Sequence, residues 1–180
     1  HRTGRGQHID MALLDCAVSA MANQAMNYLA TGRSPVRLGN THPNIAPYQV
    51  FATADGHVIV AVGNDGQFAR LCATVELEDL AADARFATNA ARVDNRETLT
   101  ALLSPAIAAR GSADLLGALE QVGVPAGPIN SMEEVFADPQ VIARGLRIEP
   151  EGVPGVRGPW RFSDAGLTVD RTAPPLARDT

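Results

Sequence analysis

The polar residues with the clearest chemical potential lie in one loop, residues 39–47, which leads directly into a strand. Between Gly39 and Tyr48 this loop holds two asparagines, two prolines and one histidine. Such a composition resists helix formation and leaves backbone N–H groups and polar side chains free to meet a ligand. The sequence therefore predicts a ligand-binding loop, with Asn40 and His42 as its polar contacts.

Other patterns that would supply a nucleophile or a metal site are absent from the sequence. There is no Gly-x-Ser-x-Gly elbow, no GxxxxGK[ST] loop, no His-x-x-x-His pair and no CxxC. His42 has no partner at metal-ligand spacing, so we expect no metal. Asp10, Asp65 and Asp138 are explained as helix N-caps and Asp55 as a turn residue. We therefore predict no catalytic residue within these 180 residues.

Charge and cysteine usage restrict the class of protein. A net charge of −5, with arginines scattered and not gathered in a stripe, argues against a nucleic-acid partner. Cys16 and Cys72 lie in apolar helical patterns, which predicts two buried thiols in a reducing compartment. Polar residues interrupt every long apolar stretch, so we expect neither a membrane span nor a signal peptide. The sequence predicts a cytoplasmic protein.

The elements that must position the loop predict an α+β fold. A long Ala-rich helix runs from Asp10 to Ala30 and stops at Gly32. A small domain follows, with a short, mainly antiparallel sheet and several helices. The Asp-Gly turn at residues 54–57 predicts a hairpin between strands 48–53 and 58–62, so the loop enters the first strand of that hairpin.

The second half of the chain alternates helices with short extended segments. Pro105 is expected to kink the helix that begins after Thr88 or to end it near Ser104, unless this segment consists of two helices. Residues 124–130 predict an edge strand, because their prolines cannot donate to a ladder, and residues 146–149 predict another strand. The predicted N-caps are Asn64, Thr88, Ser112, Ser131 and Asp138.

Three segments are expected in the domain organisation. Residues 1–40 carry the long helix. Residues 41–150 form the small α+β domain. Residues 151–180, rich in Gly, Pro and Arg and containing Pro174-Pro175, are expected to run as a strap over a surface that belongs to sequence outside this chain.

Ordered motifs along nearly the whole chain resemble the class III CoA-transferases. The similarity begins with Gly-Arg-Gly-Gln-His-Ile-Asp at residues 4–10, entering a helix, and continues with the loop itself. The later motifs, in order, are Ala54-Asp55-Gly56, residues 62–68, Phe86-Ala87-Thr88-Asn89 with Arg92, residues 123–130 and residues 136–141.

That resemblance implies the later half of a two-domain subunit in an interlinked homodimer. It also implies a nucleotide-fold large domain outside this sequence, on which residues 1–40 pack and toward which the strap of residues 151–180 returns. The family attacks an acyl-CoA thioester with an aspartate, forms a mixed anhydride and then an enzyme-bound CoA thioester, and passes CoA to an acceptor carboxylate. The nucleophile is expected upstream of this chain, and no cofactor is expected beyond the CoA thioester substrate. The family's glycine-rich loop corresponds to residues 39–47, here rich in Asn, His and Pro. The implied substrate-binding residues are Gly39, Asn40, His42, Pro43 and Gln49.

Three interpretations of the function remain open. The loop resembles that of members acting on small dicarboxylates, which favours a CoA-transferase moving CoA between carboxylic acids. An acyl-CoA racemase of the same family is the second reading, and it would need acid–base residues at the α-carbon. A non-catalytic assembly or binding fragment is the third, and we expect the 180-residue chain taken alone to be inactive.

Overall fold

The computed structural model describes residues 4–164, 166 and 171–172. It separates into two compact units, His1–Pro128 and Ile129–Thr180. We describe each unit by itself. The first unit contains the loop and the three-stranded sheet, so it is the unit that positions the predicted site.

The Ala-rich segment forms two helices where one was expected. Helix α1 spans Leu13–Ala20 and α2 spans Ala22–Thr31, with a break at Met21, whose φ and ψ are −78° and 9°. The expectation of one helix capped by Asp10 is wrong, because α1 begins after Ala12, without a side-chain cap. Gly32 ends α2 in the left-handed conformation, as predicted.

Both helices present their apolar side chains to solvent in this structure. Across α1 and α2, which are described in full, no side chain is buried, and Leu13 is 88% exposed. Cys16 is exposed as well, which corrects the expectation of a buried thiol, whereas Cys72 is buried as predicted. Helical periodicity indicates an apolar face but does not identify the surface that covers it.

The loop leads into an antiparallel sheet. Strand β1 spans Tyr48–Ala52, β2 spans His57–Ala61 and β3 spans Ala126–Pro128. The order is β1-β2-β3, so the Asp-Gly hairpin and the proline-rich edge strand are both confirmed. In β1, Gln49 and Phe51 face the core while Tyr48 and Val50 lie half-buried on the other face.

Five helices follow the hairpin in the first unit and cover one face of the sheet. They are α3 (Asp65–Thr74), α4 (Asp79–Ala82), α5 (Asn89–Asp94), α6 (Arg96–Ala108) and α7 (Ser112–Gln121). The buried apolar side chains of α3, α6 and α7 join those of β1 and β2 in one cluster that includes Phe51, Val58, Phe68, Leu103 and Leu119. This core fixes β1, and with it the exit of the loop.

Pro105 lies inside α6 without ending it. The helix continues to Ala108, and the Ala109 N–H donates to the Pro105 carbonyl at 3.2 Å. The expected stop near Ser104 is therefore wrong. Proline removes the bond to the carbonyl of Ala101, and because Ala101 is exposed, water can satisfy that carbonyl. A break does occur earlier, at Asn95, between α5 and α6.

The N-cap of α7 differs from the prediction in an informative way. Gly111 is the N-cap and makes no side-chain bond. Ser112 instead donates to Asp55 Oδ1 through both its N–H and its hydroxyl, each at 2.8 Å. Asp55 of the hairpin turn thus supplies the capping oxygen for a helix 57 residues away.

The second unit consists of short elements. Helices α8 (Met132–Ala137) and α9 (Pro139–Ala143) precede strands β4 (Arg147–Ile148) and β5 (Gly155–Val156), with a 3₁₀ turn at Pro150–Gly152 between the strands. The Ser131 capping box and the Asp138 N-cap are confirmed. Pro174-Pro175 lies outside the described residues. The division at residues 40 and 150 stays a prediction.

Candidate functional site

The loop lies along the open edge of β1 and is bonded to it at two points. Asn40 Oδ1 accepts from the Val50 N–H at 3.0 Å, and the His42 N–H donates to the Tyr48 carbonyl at 2.9 Å. Gly39 begins this segment at φ 61°, a conformation that favours glycine. The loop therefore covers backbone groups of an edge strand and is held in register with it.

His42 is fixed through its ring as well as its backbone. Its imidazole stacks on Tyr48, with ring centroids 5.2 Å apart and planes 11° from parallel. Its Nδ1 accepts from the Asn44 N–H at 3.1 Å. A ring nitrogen that accepts carries no proton, so in neutral His42 the proton is on Nε2.

Arg96, at the start of α6, clamps the loop backbone. Nη1 donates to the His42 carbonyl at 3.1 Å and Nη2 donates to the Pro43 carbonyl at 2.7 Å. Its Nε donates to the Val93 carbonyl at 3.3 Å. The planar guanidinium can hold two consecutive carbonyls at once, which a lysine ammonium cannot match in geometry. The clamp fixes the orientation of the peptide that carries His42.

Asn89, in α5, holds the next part of the loop. Its Nδ2 donates to the Asn44 carbonyl at 2.8 Å, and its Oδ1 accepts from the Ala46 N–H at 3.2 Å. The Asn44 side chain in turn exchanges two amide bonds with Asn27 of α2, at 3.0 and 3.2 Å. Residue 44 is therefore held by both α2 and α5, and residue 46 is held by α5.

Arg92 anchors the end of the loop from inside the core. It is fully buried, donates to the carbonyls of Ala46 at 2.7 Å and Phe86 at 2.9 Å, and pairs with Asp65 at 2.8 Å. The guanidinium carbon also lies 4.5 Å from the ring centroid of Phe68. A buried arginine needs such partners, because an unpaired charge in the core is costly.

The Gln49 side chain points into the core, beneath the loop. Its side chain is buried, with Oε1 accepting from the Thr41 hydroxyl at 3.4 Å and Nε2 donating to the Thr100 hydroxyl at 3.2 Å. The structure thus brings Gly39, Asn40, His42 and Pro43 together in one segment and places Gln49 beneath it. Substrate contact by these five residues stays a prediction.

The residues that fix the loop were missed from the sequence. Asn89 and Arg92 were noted only as parts of a motif that resembles the family, and Arg96 as one more scattered arginine, so their contacts with the loop were not predicted. One signal was available for Arg92, since it lies between apolar positions of a helix where a charged residue needs a buried partner. Arg96 and Asn89 carry no local signal, because their partners are more than forty residues away.

Asp55 and Cys72 of the first unit have pKa values that are shifted by their surroundings. Hydrogen bonds from the Ser112 N–H and hydroxyl lower the pKa of Asp55. Burial raises the pKa of the Cys72 thiol to about 11, although the charge of Arg92 opposes the shift. Both effects are structural, so neither marks a nucleophile.

The chemistry that the loop can perform is binding by neutral polar groups on a fixed backbone. Residues 39–47 contain no carboxylate, thiol or amine. Among the described residues, no cluster of His, Cys, Asp and Glu has the arrangement of a metal site. Within the same part of the chain, no helix is long and apolar enough to span a bilayer.

The chain is similar to known proteins along its whole length. The chain matches the model of CoA-transferase family III over residues 1–180. It is 53% identical to the succinate–glutarate CoA-transferase of Agrobacterium fabrum, over 97% of this chain and 45% of the relative. It is 38% identical to the human succinyl-CoA:glutarate CoA-transferase, over 100% of this chain and 42% of the relative.

A solved structure shares the fold. A CAIB/BAIF family protein from Brucella suis superposes with a TM-score of 0.80 at 59% identity, covering 97% of this chain and 46% of that one. The chain therefore spans less than half of the length of the relatives it matches. The α+β fold predicted from the sequence is confirmed, and the chain belongs to CoA-transferase family III.

Proposed function

We propose that the family-length protein carrying this chain transfers CoA from an acyl-CoA donor to a carboxylic acid acceptor, a small dicarboxylate. The observation that carries this proposal is the 53% identity, over 97% of the chain, to a relative named for succinate and glutarate. The fixed loop supports it, since a thioester and a carboxylate both offer oxygen acceptors to neutral donors.

The proposed reaction proceeds through an enzyme aspartate that lies outside these 180 residues. Its carboxylate attacks the thioester carbonyl and expels CoA thiolate, which leaves a mixed anhydride. The thiolate then attacks the aspartyl carbonyl and releases the donor acid. The acceptor carboxylate attacks this aspartyl thioester, and the returning thiolate attacks the acceptor acyl carbon, which restores the aspartate.

The loop is proposed to shield these intermediates and to bind substrate through Gly39, Asn40, His42 and Pro43, with Gln49 supporting the segment from below. Anhydrides react with water, so excluding water favours transfer over hydrolysis. Clamps on residues 42, 43, 44 and 46 support a loop that keeps one conformation. No metal or organic cofactor enters the proposal, because the thioester supplies the activation.

The rest of the family-length subunit is proposed to cover α1, α2 and the segment after residue 150. Support comes from the exposed apolar side chains of α1 and α2, such as Leu13, Leu14 and Leu29. We further propose an interlinked homodimer in the cytoplasm, without nucleic acid or membrane as a partner. Light scattering of the family-length protein tests the dimer, and a monomer would contradict it.

The test of the proposed function uses the purified family-length protein with succinyl-CoA and a panel of acceptors. Mass spectrometry should detect the CoA thioester of a dicarboxylate, formed in equal amount to free succinate. Loss of succinyl-CoA to free CoA without any new thioester would contradict transfer. Exchange of the α-proton of a branched acyl-CoA for deuterium, without transfer, would favour the racemase.

A further inference from the structure

The hydrogen-bond pattern of Asn40 and His42 determines which groups they leave for a ligand. Each side chain has one acceptor engaged by a backbone N–H: Asn40 Oδ1 by Val50 and His42 Nδ1 by Asn44. Among the described residues, the Nδ2 amide of Asn40 has no partner, and the engaged Oδ1 keeps one further lone pair; on His42 the Nε2–H has no partner. The two side-chain nitrogens without a partner are donors.

Neither remaining donor has a partner in the described part of the chain. No hydrogen bond of residues 4–164, 166 or 171–172 involves Asn40 Nδ2 or His42 Nε2. Asn40 is exposed and His42 is half-buried. Thr41, between them, turns toward the core, where its hydroxyl donates to Gln49 Oε1 at 3.4 Å.

The donors are neutral, and Arg96, the cation that clamps this loop, is engaged by backbone carbonyls. Arg96 directs its three donor nitrogens at the carbonyls of Val93, His42 and Pro43. No Asp, Glu, Lys or Arg occurs in residues 38–69 other than Asp55 and Asp65, which bond to Ser112 and Arg92. Two fixed neutral donors are suited to bind a carboxylate that keeps its negative charge during the reaction.

We propose that Asn40 and His42 form a donor pair that holds the non-reacting carboxylate of the dicarboxylate acceptor, and so select dicarboxylates over monocarboxylates. This inference rests on the proposed CoA transfer. The reacting carboxylate forms and breaks bonds to carbon at the proposed aspartate, whereas the other carboxylate stays unchanged throughout. Donors that are fixed by hydrogen bonds to the backbone are suited to hold the carboxylate that stays unchanged.

Asn40→Asp is the sharpest test, because it keeps the Oδ1 that Val50 requires and replaces only the outward donor by a negative charge. In the family-length protein we expect the KM for a dicarboxylate to rise roughly tenfold to hundredfold, with kcat changed far less. The KM for a monocarboxylate of equal chain length should stay the same. Asn130→Asp makes the same change on an exposed residue of the second unit and is the matched control.

His42 is tested by two variants that separate donor from ring. His42→Gln can place an amide donor near Nε2, whereas His42→Phe keeps the stacking surface for Tyr48 and has no donor. We expect His42→Phe to raise the dicarboxylate KM roughly tenfold and His42→Gln to raise it by much less. Equal impairment by both variants would overturn the donor role.

The outcomes separate this inference from the proposed function. If the unmodified protein shows no transfer to any acid, the proposed function fails. If it transfers CoA and Asn40→Asp leaves the ratio of dicarboxylate to monocarboxylate kcat/KM unchanged, the donor pair is refuted. Equal loss of kcat for both acids would place the loop at the reacting carbon and overturn the inference as well. A selective rise in dicarboxylate KM, with thermal stability unchanged, is the expected result.

Discussion

Replacing Arg92 by alanine should lower the free energy of unfolding of the family-length protein by about 3–5 kcal/mol. Among the described residues, Arg92 is the only side chain that donates to the carbonyls of Ala46 and Phe86, both buried residues. A buried carbonyl left without a donor costs about 1–3 kcal/mol. Two such groups, together with the cavity left by the side chain, give the stated magnitude.

The third partner, Asp65, contributes much less to this total. Its side chain is 57% exposed, so its carboxylate returns to water when Arg92 is lost. Asp65→Asn should therefore lower stability by less than about 1 kcal/mol. Arg92→Lys keeps the charge but lacks the fork that reaches three acceptors, and we expect a loss of about 2 kcal/mol.

Chemical denaturation of the unmodified protein and of Arg92→Ala, Arg92→Lys and Asp65→Asn, followed by circular dichroism, measures these differences. Arg85→Ala, which removes an exposed ion pair with Asp83, is the control for loss of a surface arginine and should stay within about 0.5 kcal/mol of the unmodified protein. If Arg92→Ala proves no more destabilising than Asp65→Asn, then the buried carbonyls do not depend on Arg92, and the account of how the loop is anchored is wrong.

Three further predictions concern Asp55, Cys72 and the activity of the excised chain. Hydrogen bonds from Ser112 hold the pKa of Asp55 below its ordinary value of 3.8, so its stabilising effect is present above pH 3.8 and lost as the pH falls below it; the denaturation midpoint of Asp55→Asn should lie below that of the unmodified protein at pH 7 and meet it at low pH, and a constant gap would contradict this. Because burial raises the pKa of Cys72 to about 11, iodoacetamide at pH 8 should alkylate Cys72 only after unfolding, as peptide mass spectrometry would show, and rapid native labelling would refute its burial. The excised 180-residue chain should transfer no CoA, and activity equal to that of the family-length protein would place a nucleophile inside it.

Local chemistry explains which parts of the fold the sequence could predict. Asn64, Thr88, Ser131 and Asp138 were all correct as N-caps, since each bonds to an N–H two or three residues away. The Asp-Gly turn likewise predicted the hairpin. Where the partner of a group lies within one turn of chain, residue type and spacing were sufficient.

Tertiary partners explain what the sequence could not predict. The oxygen that caps α7 comes from Asp55, so Ser112 is not the cap that its type indicates. The composition of the loop predicted exposed polar groups, yet the acceptors of Asn40 and His42 are bonded within the fold. The arginine clamp on residues 42 and 43 depends on a contact across more than fifty residues.

The most direct test of the central claim follows oxygen from acceptor to enzyme. The family-length protein is turned over with succinyl-CoA and a dicarboxylate labelled with ¹⁸O in its carboxylates, and its peptides are then examined by mass spectrometry. Transfer through an aspartyl anhydride predicts ¹⁸O in the side chain of one aspartate, located outside residues 1–180, while Asp55 and Asp65 stay unlabelled. Formation of the new thioester with no label in the enzyme, or label in an aspartate of this chain, would contradict the account.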